Sequence, residues 1–342
     1  GLRVANILRE SDTLPSGILC LTFTDLAAKN MRERLVGLIG AEAYKVAINT
    51  FHSFALDISH RFPDEFYEEI AMQSADEIVQ IETLGKILER LPYSDPFQKK
   101  NPKGTFVYLN DIKSRIGQLK KAGLAPEEFK RILETNASSY QLIEEILVPI
   151  FEQRMSKKVR DLIPEALLAI KDLTLPAMSI SHMSLLDYQK LLISSLGKAY
   201  EEAVEEDKTR SLTEWKENWF KKDPATKQSQ LKDSYQLKRN LSLANVYGKY
   251  QEQLKAAGYI DFEDMIIDLI QAMITKPGLL AELQEKYQYV LVDEFQDTNE
   301  AQMRIIHLLT DNPVNEGLPN IMIVGDDDQS IYSWRGANIA NI

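Results

Sequence analysis

The sequence predicts an α/β fold in which a parallel sheet is interrupted by a long helical segment, and three observations support this. Short apolar runs typical of buried parallel strands alternate with helical periodicity near both ends of the chain. Between residues 62 and 257 the strand pattern nearly vanishes. At 342 residues the chain is too long for one simple core. We therefore expect sheet-forming segments over residues 1–62 and 258–342 and an all-helical insertion domain over residues 63–257.

The first sheet-forming segment predicts two strand and helix pairs. The apolar run at residues 17–24 predicts a strand, after which Asp25 offers an N-cap for a helix that Gly40 ends. The run at residues 45–50 predicts a second strand, and a helix follows over residues 51–61. Strands and helices in alternation favour a parallel sheet.

The middle segment predicts long amphipathic helices separated by proline, glycine and asparagine clusters. The expected helices cover residues 74–90, 109–121, 140–154, 185–206 and 231–256. The α/β pattern then returns, with a helix at 261–274, a strand at 287–294, a helix at 299–309 and a strand at 320–326. This order favours one α/β domain that carries an insertion over three domains in series.

The composition is that of a globular protein, with 44% hydrophobic and 27% charged residues and a formal net charge of −11. The sequence contains no run of eighteen apolar residues and no secretory leader pattern. Cys20 is the single cysteine, so we expect it in the core of a protein from a reducing compartment. These features predict a cytoplasmic protein with no membrane partner. The negative charge argues against a general basic coat for nucleic acid.

Two acidic residues, Asp293 and Glu294, directly follow the apolar run "YVLV". In open α/β sheets ligands collect at the carboxyl ends of the strands, where both side chains would emerge. One carboxylate can hold hydrated Mg²⁺ while the next polarises a water for attack on a phosphate. A charged strand end without a ligand is the alternative. Asp297 and Glu300 have the spacing of a helix N-cap and its reciprocal partner.

A second apolar run leads into "GDDDQSIYSWRGA", residues 325–337. The amide of Gln329 could donate to a terminal phosphate and accept from water. Tyr332 and Trp334 could stack on bases, and core packing is the alternative for this aromatic pair.

These two stretches, together with "LTFTDLAAKNMRERL", "NTFHSFAL" and "YIDFEDMI", resemble the UvrD/Rep/PcrA-like superfamily 1 DNA helicases. The five motifs occur in the order of that family, which makes the combination specific. The resemblance implies a P-loop NTPase fold of the RecA type with a helical insertion. It also implies ATP and Mg²⁺ as cofactors, single-stranded DNA and duplex DNA at a junction as partners, and movement from 3′ to 5′.

The resemblance implies roles for individual residues. Asp293 would hold Mg²⁺ and ATP, Glu294 would be the base that orients the hydrolytic water, and Gln329 would contact the γ-phosphate during catalysis. DNA contacts would come from a further set, Phe23, Thr24, His52, Tyr332, Trp334 and Arg335. Since Phe23 and His52 each follow a predicted strand, we expect them at the same sheet edge as Asp293 and Gln329. The alternatives are a core position for Phe23 and a capping or core position for His52.

The sequence also departs from the family pattern. The 342 residues contain no phosphate loop G-x-x-x-x-G-K-S/T, which the resemblance places just before "LRVANIL", and no segment that resembles the second RecA-like domain of the family. The resemblance therefore implies a piece of a larger protein that could not by itself hydrolyse ATP at a useful rate. Asp25 stands where many relatives have asparagine, so a phosphate contact from that position is in question.

The helical segment carries a basic stretch and a tryptophan pair. Nine lysine and arginine residues occur between residues 99 and 131, and they are Lys99, Lys100, Lys103, Lys113, Arg115, Lys120, Lys121, Lys130 and Arg131. They favour either contact with backbone phosphates or a solvated helix face. Trp215 and Trp219, four residues apart, favour helix packing. The remaining helices could equally form a docking surface for a protein partner.

We therefore interpret the sequence as the first motor domain of an ATP-dependent DNA translocase or helicase, acting in repair, replication restart or recombination. Two alternatives remain. One is an ATP-independent module that binds single-stranded DNA or a protein. The absence of a phosphate loop upstream in the parent gene would favour this alternative. The other is the motor part of a helicase-nuclease, which the sequence beyond residue 342 would discriminate.

Overall fold

The computed structural model describes residues 1–66, 73–175, 179–180, 183–184, 186–223, 227–312 and 318–326. The strands are β1 (Ile18–Thr22), β2 (Ala47–Thr50), β3 (Gln73–Ser74), β4 (Ser179–Ile180), β5 (Met183–Ser184), β6 (Phe220–Lys222), β7 (Ser229–Leu231), β8 (Tyr259–Ile260), β9 (Tyr289–Val292) and β10 (Ile321–Ile323).

The helices that precede and follow these strands are α1 (Leu2–Glu10), α2 (Asp25–Ile39), α3 (Phe51–Arg61), α4 (Pro63–Phe66), α5 (Glu77–Glu89), α6 (Leu109–Lys121), α7 (Pro126–Phe151), α8 (Lys157–Arg160), α9 (Ile163–Asp172), α10 (Leu186–Glu205), α11 (Arg210–Trp219), α12 (Lys232–Ala256), α13 (Asp264–Thr275), α14 (Pro277–Lys286) and α15 (Glu300–Thr310). Short 3₁₀ turns occur at Pro15–Gly17, Gly40–Lys45 and Phe295–Asp297. No described helix has the length and apolar character needed to cross a membrane.

A four-stranded parallel sheet with the order β10-β9-β1-β2 organises the α/β part of the chain. The register pairs Leu21 with Val292 and Thr22 with Thr50. Each of the four strands forms within one of the apolar runs that predict it, so the predicted α/β class is confirmed. Because all four strands are parallel, their carboxyl ends meet at one edge of the sheet.

The central strand β1 is buried on both faces, as its uninterrupted apolar sequence predicts. Leu19 and Leu21 pack into a core with α3, α13 and α15. Ile18 and Cys20 pack into a second core with α1 and α2 on the opposite face. Cys20 is 1% exposed, and burial raises the pKa of its thiol to about 12. The core position expected for this cysteine is confirmed.

Two helix starts differ from those predicted, although both helices form. The N-cap of α2 is Thr24, whose Oγ1 accepts from the Ala27 amide at 3.1 Å, while Asp25 is the first helical residue. Its carboxylate then faces the positive end of the helix dipole. In the same way, the capping box of α15 joins Asn299 and Gln302 rather than Asp297 and Glu300, because residues 295–297 form a 3₁₀ turn before the helix begins. Gly40 ends α2 with φ of 63°, as expected.

The chain folds as two compact units. The first comprises Gly1–Arg90, Lys100–Ala125 and Tyr247–Ile342, and the second comprises Leu91–Lys99 and Pro126–Val246. The first unit is therefore larger than the two predicted sheet-forming segments, because α5, α6 and the end of α12 pack with it. Helix α6 illustrates the reason, since it contacts both α13 and α15 beside the sheet.

The second unit is helical apart from short strand pairs. Its core brings together residues of α7, α9, α10 and α11, and the hairpin of β6 and β7 closes one side. Trp215 is 5% exposed and lies 5.0 Å from Phe151 between ring centroids, while Trp219 stacks on Trp215 at 5.6 Å. The predicted packing role of the tryptophans is confirmed. The sequence did not predict the strands at 179–180, 183–184, 220–222 and 229–231, since two or three residues carry no readable period.

The first unit also contains a buried charged cluster, which we call the Lys120 network; its members are Lys120, Lys255, Asp261, Asp264 and Asp268. The Nζ of Lys120 lies 2.8 Å from a carboxylate oxygen of Asp261 and 2.8 Å from one of Asp264, and its side chain is 0% exposed. Lys255 Nζ lies 2.8 Å from Asp268 Oδ1. These ion pairs connect α6, α12 and α13.

The Lys120 network corrects the interpretation of the basic stretch. Lys120 cannot contact a nucleic acid phosphate, because it is buried and paired with two carboxylates. Lys113 pairs with Glu77 at 2.8 Å, outside the stretch. In addition, Lys99, Lys130 and Arg131 belong to the second unit and the other members to the first. The nine charges therefore do not form a single surface within one unit.

Candidate functional site

The carboxyl edge of the sheet gathers the side chains that follow its strands. Phe23 and Thr24 follow β1, and His52 lies in the first turn of the helix that follows β2. Asp293 follows β9, and its amide donates to the carbonyl of Leu21 at 2.9 Å, which extends the pairing with β1. Phe23, His52 and Asp293 thus lie at one edge, as the sequence predicts.

Glu294 stands at a sharp turn directly after this edge. Its backbone has φ of 52° and ψ of 45°, the left-handed conformation that is uncommon outside glycine and asparagine. Such a conformation costs on the order of 1–3 kcal/mol and persists only where the surroundings enforce it. The turn leaves Glu294 exposed while Phe295 and Gln296 beside it are buried. Strained residues of this kind cluster at active sites, and here the exposed carboxylate lies beside the buried Phe295 and Gln296.

Gln296 holds the Glu294 side chain from the buried side. Its Nε2 donates to Glu294 Oε2 at 2.7 Å, and its Oε1 accepts from the backbone amide of Asp326 at 3.1 Å. Gln296 is 1% exposed. The sequence analysis did not single out Gln296. The sequence shows only that a polar residue stands two positions after Glu294. It does not show the partner of that residue, the Asp326 amide after β10.

Two buried oxygen atoms beside this turn have no hydrogen-bond partner among the described residues, Thr22 Oγ1 and Asp297 Oδ1. Thr22 follows Leu21, whose carbonyl accepts from the Asp293 amide. Asp297 is 7% exposed, and burial raises the pKa of its carboxyl, with the nearby charge of Glu294 adding to the increase. Unsatisfied buried oxygens are rare in folded proteins, and strain, a catalytic role, or a bound water or ion accounts for them.

A cavity of about 510 Å³ opens at the same edge. It lies within the first compact unit and is lined by Phe23, Thr24, Asp25, Thr50, His52, Lys121, Phe262, Glu263, Asp297, Asn299 and Gln302. The lining combines aromatic rings, hydrogen-bonding groups and charges of both signs, which suits a ligand with flat rings and polar edges. The predicted DNA-contact residues Phe23, Thr24 and His52 all face this cavity.

An aromatic stack forms one wall of the cavity. The ring of His52 stacks on Phe262 with 3.9 Å between centroids and 18° between planes. Phe262 is 52% exposed, and Glu263 Oε2 lies 3.7 Å from His52 Nε2. His52 is not the cap of α3, because Thr50 holds that position, and its side chain is 20% exposed rather than part of the core. Its contact with DNA remains a prediction. Phe262 was missed as a candidate, and Lys121 was predicted only as a member of the basic stretch, because only the tertiary structure brings these two residues to this edge.

Four predicted site residues, Gln329, Tyr332, Trp334 and Arg335, lie outside the described residues. Their assignments remain predictions. The described chain ends at Asp326, three positions before Gln329, and β10 brings it to the same sheet edge as Asp293.

The carboxylates at the edge fit Mg²⁺ that is bound together with water and a phosphate. Among the described residues, no group of three or more histidine, cysteine, aspartate or glutamate side chains could hold a metal ion alone. Mg²⁺ commonly binds through one or two carboxylates and completes its shell with water and substrate phosphate. Asp293 and Glu294 therefore supply carboxylates of the kind that suits Mg²⁺ arriving with a phosphate.

The fold and the edge define the class of protein: an α/β protein whose candidate ligand site lies at the carboxyl ends of a parallel sheet. Within that class, the chain belongs to the UvrD/REP helicase N-terminal domain family, whose model matches residues 2–207 and 170–342. The resemblance carried by the five sequence motifs is thereby confirmed.

Two relatives illustrate the similarity. The ATP-dependent DNA helicase PcrA of Staphylococcus aureus (strain Mu50 / ATCC 700699) is 26% identical over 340 residues, which cover 99% of this chain and 31% of that protein. The ATP-dependent DNA helicase PcrA of Staphylococcus epidermidis (strain ATCC 12228 / FDA PCI 1200) is 27% identical over the same coverage. The chain thus spans 31% of the length of these curated relatives.

Proposed function

We propose that this chain is the first RecA-like motor domain, with its helical insertion, of an ATP-dependent DNA helicase that moves from 3′ to 5′ along single-stranded DNA. One observation carries the proposal: the candidate nucleotide residues Asp293 and Glu294 share a sheet edge with the candidate DNA residues Phe23 and His52. Membership of a helicase family supports it. Duplex DNA at a junction would be the substrate, and the helical unit would offer a surface to protein partners.

The nucleotide half of the site follows from its carboxylates. Asp293 would hold Mg²⁺ together with the phosphates of ATP, and the metal would supply charge neutralisation to the phosphate under attack. Glu294, exposed and already anchored by Gln296, would accept a proton from the hydrolytic water and orient that water. Gln329 would contact the γ-phosphate. The family resemblance supports these roles, and the strained turn at Glu294 gives them a physical basis.

The DNA half of the site follows from the cavity wall. Phe23 would stack on an unpaired base, and the hydroxyl of Thr24 and the imidazole of His52 would contact the neighbouring sugar or phosphate. Tyr332, Trp334 and Arg335 complete the set by resemblance. A change in nucleotide state moves the backbone around the sheet edge, so bases that stack at the same edge would be displaced along the strand.

The decisive experiment replaces the proposed base. Because the 342 residues contain no G-x-x-x-x-G-K-S/T sequence, the experiment uses the natural full-length protein. We expect Glu294→Gln to reduce DNA-stimulated ATP hydrolysis by at least about a thousandfold, since the amide cannot accept a proton. Binding of a fluorescent ATP analogue should remain, because the shape of the side chain is unchanged.

Two controls frame that experiment. The exposed Glu82 of α5 lies outside the candidate site, so Glu82→Gln should leave hydrolysis unchanged. Turnover that survives Glu294→Gln would remove Glu294 from the role of base. A wild-type protein that binds single-stranded DNA but never hydrolyses ATP would favour an ATP-independent binding module.

A further inference from the structure

Gln296 lies beneath the proposed catalytic turn and joins two strand ends. The amide nitrogen donates to Glu294 Oε2 at 2.7 Å, and the amide oxygen accepts from Asp326 N at 3.1 Å. Reversing the amide would set its oxygen against the carboxylate and its NH₂ against a backbone N–H, so both contacts would become repulsive. The side chain therefore has one orientation, and each end has one partner.

The backbone around Gln296 is already shared between β9 and β10. Phe295 N donates to the carbonyl of Val324 at 2.9 Å, and Val324 N donates to the carbonyl of Val292 at 2.9 Å. The next hydrogen bond along this ladder is made by the side chain of Gln296 instead of its backbone, since Asp326 N donates to Gln296 Oε1. Glu294 is thereby tied to the segment that follows β10.

Gly325 makes room for this bridge. A Cβ atom on Gly325 would lie 2.7 Å from Gln296 Oε1 and 3.2 Å from Gln296 N. The backbone of Gly325 is outside the left-handed region, so glycine is required here by space rather than by conformation. Two residues that follow different strands, Gln296 after β9 and Gly325 after β10, thus fit one another, and both serve the orientation of a third, Glu294.

We propose that Gln296 is a positioning residue, which fixes the Glu294 carboxylate toward the hydrolytic water and ties it to the backbone preceding Gln329. This inference rests on the proposed role of Glu294 as base. The bridge holds the base and the start of the γ-phosphate-contacting segment in a constant relation. A shift of the segment after β10 would therefore be transmitted to the base through a single amide group.

The first test removes the hydrogen-bond donor of Gln296. In the natural full-length protein, Gln296→Glu keeps the side-chain shape and an oxygen that can accept from Asp326 N, but it cannot donate to Glu294 and adds a like charge. We expect kcat for DNA-stimulated ATP hydrolysis to fall about ten- to a hundredfold, because a hydrogen bond to a charged group is lost. KM for ATP should change less than about threefold, since no nucleotide contact is removed.

The second test displaces Gln296 without altering it. Gly325→Ala should reproduce the loss of kcat, because the new methyl group would lie 2.7 Å from the amide oxygen and force it to move. The matched control is Gly85→Ala in α5, where an added Cβ meets nothing within 4 Å, and kcat should not change. Hydrogen exchange gives a readout that needs no activity. The Asp326 amide should exchange faster in Gly325→Ala than in the wild type and should be unaffected in Glu294→Gln.

The outcomes separate this inference from the proposed function. If Glu294→Gln abolishes hydrolysis while Gln296→Glu and Gly325→Ala retain wild-type kcat, the positioning role is wrong and the role of the base stands. If Glu294→Gln retains hydrolysis, Glu294 is not the base. The proposed role of Glu294 and the positioning role of Gln296 that rests on it are then both wrong. A loss of kcat that only parallels a loss of folded protein, measured by circular dichroism, would make Gln296 a structural residue and would also overturn the inference.

Discussion

The first compact unit contains two clusters of acidic side chains that differ in their counter-charges. In the Lys120 network, Asp261 and Asp264 are paired with a lysine that is 0% exposed. At the sheet edge, Asp293, Glu294 and Asp297 stand together, and no ion pair to them occurs within the described part of the chain. The same residue type thus has an internal counter-charge in the Lys120 network and none at the sheet edge, where we propose a binding role.

The physical difference lies in what compensates desolvation. A buried carboxylate is tolerated when an opposite charge and hydrogen bonds replace its water. Asp264 has both, because Lys120 lies at 2.8 Å and the amide of Gln251 donates at 2.6 Å. Asp297 Oδ1 has neither, and burial raises the pKa of that carboxyl. Asp268 is intermediate, because Lys255 pairs with its Oδ1 while its Oδ2 has no hydrogen-bond partner among the described residues. The sheet edge therefore carries a local energetic cost that a cation or a hydrogen-bond donor from a ligand would relieve.

The largest expected effect comes from removing the cation of the network. Lys120→Met keeps most of the side-chain volume but leaves Asp261 and Asp264 without their shared partner. We expect the free energy of unfolding of the first unit to fall by about 3–5 kcal/mol, measured by urea denaturation at neutral pH. The neighbour Lys121 lines the cavity and is partly exposed, so Lys121→Met should cost less than about 1 kcal/mol. Equal losses for the two variants would contradict the comparison.

An effect of opposite sign is expected at the sheet edge. Asp297→Asn removes a buried carboxylate that lacks a hydrogen bond on Oδ1 and keeps its shape. We expect the free energy of unfolding at neutral pH to rise by about 1 kcal/mol, because a poorly compensated charge is no longer buried. Thermal or urea denaturation measures this change.

The control for Asp297→Asn is Asp12→Asn, because Asp12 is exposed and its charge is solvated. That substitution should alter stability by less than about 0.5 kcal/mol. A marked destabilisation by Asp297→Asn would show that its carboxylate is already compensated, and the contrast between the two clusters would disappear.

The smallest expected effect is a change in the pH dependence of stability. The pKa of Asp268 is raised, mainly by burial. The positive charge of Lys255 opposes this increase, the negative charge of Asp264 adds to it, and the more weakly acting Lys120 opposes it. Since the folded chain then holds this proton to higher pH than the unfolded chain, the contribution of Asp268 to stability is largest below its ordinary value of 3.8 and declines as the pH rises through the folded value.

Asp268→Asn should therefore make the free energy of unfolding fall less steeply as the pH rises above the ordinary value of 3.8. Denaturation at several pH values measures the slope. The control is again Asp12→Asn, which should keep the wild-type slope. An unchanged slope in Asp268→Asn would mean that Lys255 fully compensates the buried carboxylate.

Local signals in the sequence predicted much of the fold. The bounds of α3 match the predicted helix 51–61, because the apolar period and its ends coincide there. The long helix α7 shows the limit, since it begins at Pro126 rather than near residue 140. The run "TNASS", residues 135–139, contains several weak helix formers, but burial of Ile132, Leu133 and Ile143 overrides that local preference.

The sequence alone determined the chemistry available at the strand ends. An apolar run followed by polar groups fixes which side chains can leave a buried parallel strand, so Phe23, His52 and Asp293 could be placed at one edge. Only the tertiary structure decided which charges are neutralised internally. Lys120 meets Asp261, and Gln296 meets Asp326, across 141 and 30 positions of sequence, respectively. Such pairings depend on strand register and helix packing, which no local pattern encodes, and they separate a structural carboxylate from one that is left to bind a ligand.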